Sequence, residues 1–129
     1  MFDQIIVVYL YLFFSTMIIA FQFALIFGAP WGEITMGGRY SGQIPLYMRM
    51  VILFVFIPIL LLVTMIVLVR SGLTCEEYYE WSKSAIWFVV AFHSIVSISN
   101  IITPSKKERM VWAPITVITL GCVIYIAMH

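Results

Sequence analysis

The sequence predicts an all-α protein, an integral membrane four-helix bundle with a long glycine-rich first connection. Three observations carry this expectation. The 129 residues are 64% hydrophobic and only 10% charged, whereas soluble domains carry about 25% charged residues. Mean hydropathy is +1.09, more apolar surface than a small water-soluble fold can hide. Four separate stretches each approach the roughly 20 apolar residues that a helix needs to cross a hydrocarbon core of about 30 Å. In lipid such stretches must be helical, because an open strand leaves backbone groups unpaired. The chain reads as one transmembrane domain, residues 1–129.

The first span covers residues 5–27, broken only by Ser15, Thr16 and Gln22. It is too long for a signal-peptide core and Asp3 precedes it, so it reads as a retained helix. The second span covers residues 47–69 and carries Pro58 at its middle. Proline removes a donor and crowds the carbonyl one turn earlier, here that of Phe54, which predicts a bend. The third span, residues 84–102, is the most polar. The fourth covers residues 111–128, with Pro114 expected in its first turn, where proline is tolerated.

The connections differ in character. Residues 28–45 hold five of the seven glycines, and this length is above the usual range, as in loops with a function. Gly37 and Gly38 could present successive N–H groups as an anion nest. Glu33 is expected to pair with Arg39, Arg49 or a basic residue of the third connection. No GK[ST] follows the glycines, so a phosphate-binding P-loop is excluded. Residues 70–83 are acidic, with Glu76, Glu77 and Glu80, and residues 103–110 are basic, with Lys106, Lys107 and Arg109.

Lysine and arginine bias sets orientation. The first and third connections carry Arg39, Arg49, Lys106, Lys107 and Arg109, against Arg70 and Lys83 on the other side. The expected location is the cytoplasmic membrane, multi-pass, with the basic connections inside and both termini outside. Trp31, Tyr40, Tyr47 and Trp112 then fall at the inner interface, and Tyr78, Tyr79, Trp81 and Trp87 at the outer one, as aromatic girdles.

His93 is the one ionisable side chain deep in an expected span. Ionisable groups in membranes are costly and often functional. His93, Ser97 and Asn100 share a helix face, and Gln22 and Thr116 fall in the same half of the membrane. Together they suggest a polar stripe or pocket opening towards the glycine-rich loop. The blander alternative is that these groups join helices by hydrogen bonds, worth about 0.6 kcal/mol each. Partners for His93 are sought in Ser15, Gln22, Thr116, Thr119 or a carbonyl freed near Pro58.

Other chemistries find little support. A net charge of +1 gives no field for nucleic acid. Cys75 and Cys122 form no CxxC pair and no metal-ligand set, so no cofactor, metal or thiol-redox role is expected. No catalytic residues are assigned.

The run GAPWGEITMGGRYSGQIP over residues 28–45, followed by Arg49, and the run SNIITPSKKERMVWAP over residues 99–114 are distinctive. In the second, Asn100, Pro104, Ser105, Glu108, Arg109, Trp112 and Pro114 stand out. These runs resemble a pattern in a family of small bacterial membrane proteins of unknown function. The resemblance implies four helices, a bacterial source and a single feature built by the two inner connections. It implies no activity.

Three functions remain in view. The favoured one is a non-enzymatic binding, accessory or assembly component of the membrane, working through Glu33, Gly37, Gly38, Arg39, Arg49, Lys106 and Arg109. Its partners are the lipid bilayer and either a second copy or another membrane protein. A small transporter or channel would use the His93, Ser97 and Asn100 stripe. A lipid-modifying enzyme would use His93 as acid or base, but no acid in a span offers a second catalytic group.

Overall fold

The computed structural model describes residues 2–129. Its long helices are α1 (Phe2–Ile26), α2 (Leu46–Arg70), α3 (Tyr79–Ile102) and α4 (Lys106–Met128). There is no strand among the described residues. All four helices are long and apolar enough to cross a membrane, as in a multi-pass membrane protein. Only 22–28% of each span is buried inside the bundle. The remaining apolar surface, including Phe13, Phe54 and Ile95, is left for lipid to cover.

Helix α4 packs most extensively on α3 and α1, while α2 lies against α1 and α3 on the other side. Two apolar clusters fill the interior. One, around Val8, Tyr11, Val63, Val67, Val89 and Val123, lies towards the termini. The other, around Phe21, Leu25, Ile44, Ile52, Ile57 and Trp112, lies towards the glycine-rich connection.

Two helices begin earlier than their apolar stretches. Helix α3 starts at Tyr79 rather than at 84, and α4 starts at Lys106 rather than at 111. A helix satisfies its own backbone and can project past the hydrocarbon, so the polar turn continues it where apolarity stops. Ser105 caps α4, its Oγ accepting the Glu108 N–H at 3.1 Å. Pro114 is therefore inside the helix, not in its first turn, and leaves the Met110 carbonyl without its usual donor. The third connection shrinks to residues 103–105.

Pro58 acts through a local change of helix type. Residues Ile52–Phe56 form a π turn, closed by the Ile57 N–H to the Ile52 carbonyl. The extra residue in that turn re-registers the ladder just where proline has no N–H to give. The two halves of α2 then pack differently. Residues Ile57–Arg70 lie against α1 and α3, while the half towards the loop packs chiefly on α1. Between that half and α3 the bundle is open.

Candidate functional site

Residues 27–45 fold as two short 3-10 turns, Gly32–Ile34 and Met36–Gly38, docked on the start of α4. Gly32 donates its N–H to the Gly42 carbonyl at 2.8 Å, closing the loop on itself. A Cβ there would stand 2.5 Å from the Tyr40 carbonyl oxygen and 2.7 Å from that of Gly42, so only glycine fits. Met36, Gly37 and Gly38 all have positive φ, at +52°, +71° and +73°. The Gly37 N–H is turned towards α4, while that of Gly38 returns to the Thr35 carbonyl at 2.9 Å. At Gly38 a Cβ would meet the Ser105 Cβ at 2.9 Å.

Four polar contacts hold the dock. The Gly37 N–H donates to Glu108 Oε2 at 2.9 Å. Ser105 Oγ donates to the Glu33 carbonyl at 2.6 Å. Trp112 Nε1 donates to the Ile34 carbonyl at 3.0 Å. Lys107 Nζ pairs with Glu33 Oε2 at 2.6 Å. The last pair is exposed and contributes at most about 1 kcal/mol. The buried bonds matter more, since Glu108 and Trp112 are both largely out of solvent. Phe21 packs edge-on against Trp112 and stacks on Trp31, so aromatic surface from α1 completes the dock.

The nest at Gly37 thus receives a carboxylate of the same chain. Glu33 meets Lys107 rather than Arg39 or Arg49. Arg49 instead braces the loop, bonding the Ile44 carbonyl and Gln43. Arg39 lies over the Tyr40 ring, Lys106 is exposed, and Arg109 donates to the Thr103 carbonyl at 3.1 Å. Tyr40 and Tyr47 share a hydrogen bond at 2.9 Å, which raises the Tyr40 pKa above its ordinary value.

Under the dock is a cavity of about 540 Å³. Its walls come from α1, α3 and α4, with Phe56 of α2 at the gap that the π turn leaves. Gln22, Asn100 and Thr116 line it, together with Thr35, Ser99 and Glu108. Asn100 Nδ2 is engaged with the Val96 carbonyl, and the Thr116 hydroxyl bonds the carbonyls of Trp112 and Ala113. No protein partner bonds the Gln22 amide among the described residues.

His93 and Ser97 belong elsewhere. His93 is only 4% exposed, and its Nε2 lies 2.9 Å from the Tyr11 hydroxyl. None of the partners expected from the sequence takes that bond. One turn along α1, Ser15 bonds Thr64 of α2 at 2.8 Å. Thr64 gives its proton to the Leu60 carbonyl, so Ser15 is the donor. Ser97 is buried but does not line the cavity. The stripe is therefore divided into a dry Tyr11–His93 pair and a cavity-lining group nearer the loop.

Sequence reasoning passed over Glu108 as a site residue, and Tyr11 altogether. The S-x-x-E spacing of Ser105 and Glu108 is a readable helix-start signal. Tyr11 lies four residues before Ser15, on one helix face. Cys75 and Cys122 are both free thiols, and no cluster of metal-ligating side chains occurs among the described residues. Comparison with protein-family models, with curated proteins and with solved structures returns no match.

Proposed function

We propose that this chain is a non-enzymatic binding component of the bacterial cytoplasmic membrane, and that it holds a small amphiphile in the cavity beneath the docked loop. The observation that carries this reading is the cavity itself. Its volume of about 540 Å³ falls in the range of roughly 300–1,000 Å³ common for small-molecule sites. Ile18 and Ile95 are apolar walls further along the helices, and most of the polar lining, Gln22, Thr35, Ser99, Asn100 and Glu108, stands nearer the loop, with Thr116 deeper. A molecule with a hydrocarbon chain and a polar head matches that division.

The bacterial source rests on the family resemblance of residues 28–45 and 99–114. The cytoplasmic placement of the loop rests on the excess of Lys and Arg at that end. A second copy or another membrane protein would meet the exposed loop face around Trp31, Arg39 and Tyr47. Transport along the histidine stripe is the weaker reading. Ser94, Asn100, Thr116 and Thr119 each bond a carbonyl of their own helix, which favours a structural stripe over a wet path. Catalysis by His93 is weaker still, because its Nε2 is occupied by Tyr11 and no acid bonds it among the described residues.

Native mass spectrometry of the full chain in a mild non-ionic detergent tests the proposal. Ser99 is exposed on the cavity wall, so Ser99→Trp should fill the space without disturbing the core. The expected result is a co-purifying amphiphile on the wild type that is lost from the variant. Equal retention by both, or none on the wild type, would refute the cavity as the binding site.

A further inference from the structure

We propose that the headgroup held in this cavity is an ammonium bearing N–H donors, which makes the ligand a single-chain cationic amphiphile; this deepens the binding reading above and rests on it. Glu108 is the one ionisable side chain lining the cavity among the described residues. It is only 6% exposed. A carboxylate offers about four acceptor sites on its two oxygens. Here Oε2 takes the Gly37 N–H, and Oε1 accepts from no protein group among the described residues. A glutamate at this helix position ordinarily turns back to the N–H of the capping residue. In this chain that N–H, on Ser105, is occupied by Thr103 Oγ1 at 3.3 Å. The carboxylate is left between the loop and the cavity with acceptor capacity to spare.

The start of α4 and the Gly37 N–H favour the charged carboxylate, and its remaining acceptor capacity on the cavity side suits a cation with hydrogen-bond donors. The nearby cations do not supply them. Lys107 is bound to Glu33 and Arg109 to the Thr103 carbonyl, and neither lines the cavity. A phosphate headgroup entering it would meet a carboxylate and no cation. An alcohol would bring a single donor. An ammonium brings the opposite charge and up to three donors. Glu108 can take one, and Gln22 and Asn100, the latter with its Nδ2 spent on Val96, line the same cavity with carbonyl oxygens that no protein donor engages among the described residues.

The test compares three probes with one chain length, dodecylamine, dodecanol and dodecyl phosphate, on the full protein in a non-ionic detergent by native mass spectrometry. The amine is expected to show roughly tenfold or higher affinity over the other two. Glu108→Gln keeps an oxygen for the Gly37 N–H and should reduce that preference to within about twofold. Should that variant unfold, Asn100→Leu serves instead, and should weaken amine binding several-fold more than it weakens dodecanol binding. Ser99→Trp should lower binding of every probe. If the phosphate or the alcohol binds as well as the amine, and Ser99→Trp still blocks it, the headgroup assignment is overturned and the cavity reading stands. If Ser99→Trp lowers the binding of no probe, both are overturned.

Discussion

The Tyr11–His93 bond joins α1 to α3 across the middle of the bundle, where lipid could satisfy neither group. An imidazole always carries at least one N–H, and a side chain this short cannot reach water from mid-span. That cost made the inward orientation of His93 legible from sequence. The partner was not legible, because a tyrosine within an apolar run reads as one more hydrophobic residue. A double-mutant cycle of Tyr11→Phe and His93→Leu, read by unfolding in detergent, should give a coupling of about 0.6 kcal/mol and not above roughly 1.7. Coupling of zero would remove the bond as a contributor to stability. Glu108 was hidden for a different reason. Its sequence position suggested a helix start and nothing more, since the loop N–H it binds lies 71 residues away.

At the scale of elements, the start of α4 and the glycine-rich loop stabilise each other. Ser105 is central, since one hydroxyl both caps the helix and donates to the Glu33 carbonyl. Ser105→Ala should cost about 1 kcal/mol for the cap alone, with a further loss for the loop bond. Faster amide exchange over residues 33–38 should accompany the lowered melting temperature. Lys107→Ala removes only the exposed ion pair and should cost under about 1 kcal/mol. If the two variants behave alike, the dock is held by charge and not by the buried contacts. Pro58 is the other instructive element. Its missing donor was evident from the residue type. The π turn Ile52–Phe56 that absorbs it, and the opening between the loop-side half of α2 and α3, depend on how the neighbouring helices pack.

Across the whole molecule, the alternation of four spans puts the loop and the start of α4 at one end and both termini at the other. Maleimide labelling of Ser41→Cys in intact cells, in a background lacking Cys75 and Cys122, should be blocked by the membrane, whereas a cysteine next to His129 should react. Labelling of position 41 from outside would reverse the orientation. The number of helices, their approximate limits, the basic end and the inward face of His93 all follow from the sequence, because lipid permits so few ways to satisfy a backbone or a polar side chain. The early starts of α3 and α4 do not follow, since beyond the hydrocarbon apolarity no longer marks where a helix begins. Nor do Tyr11, the meeting of Glu108 with Gly37 or the cavity under the loop. Each of these depends on surfaces from distant parts of the chain coming to share one space, and only the packing of the helices decides which surfaces do.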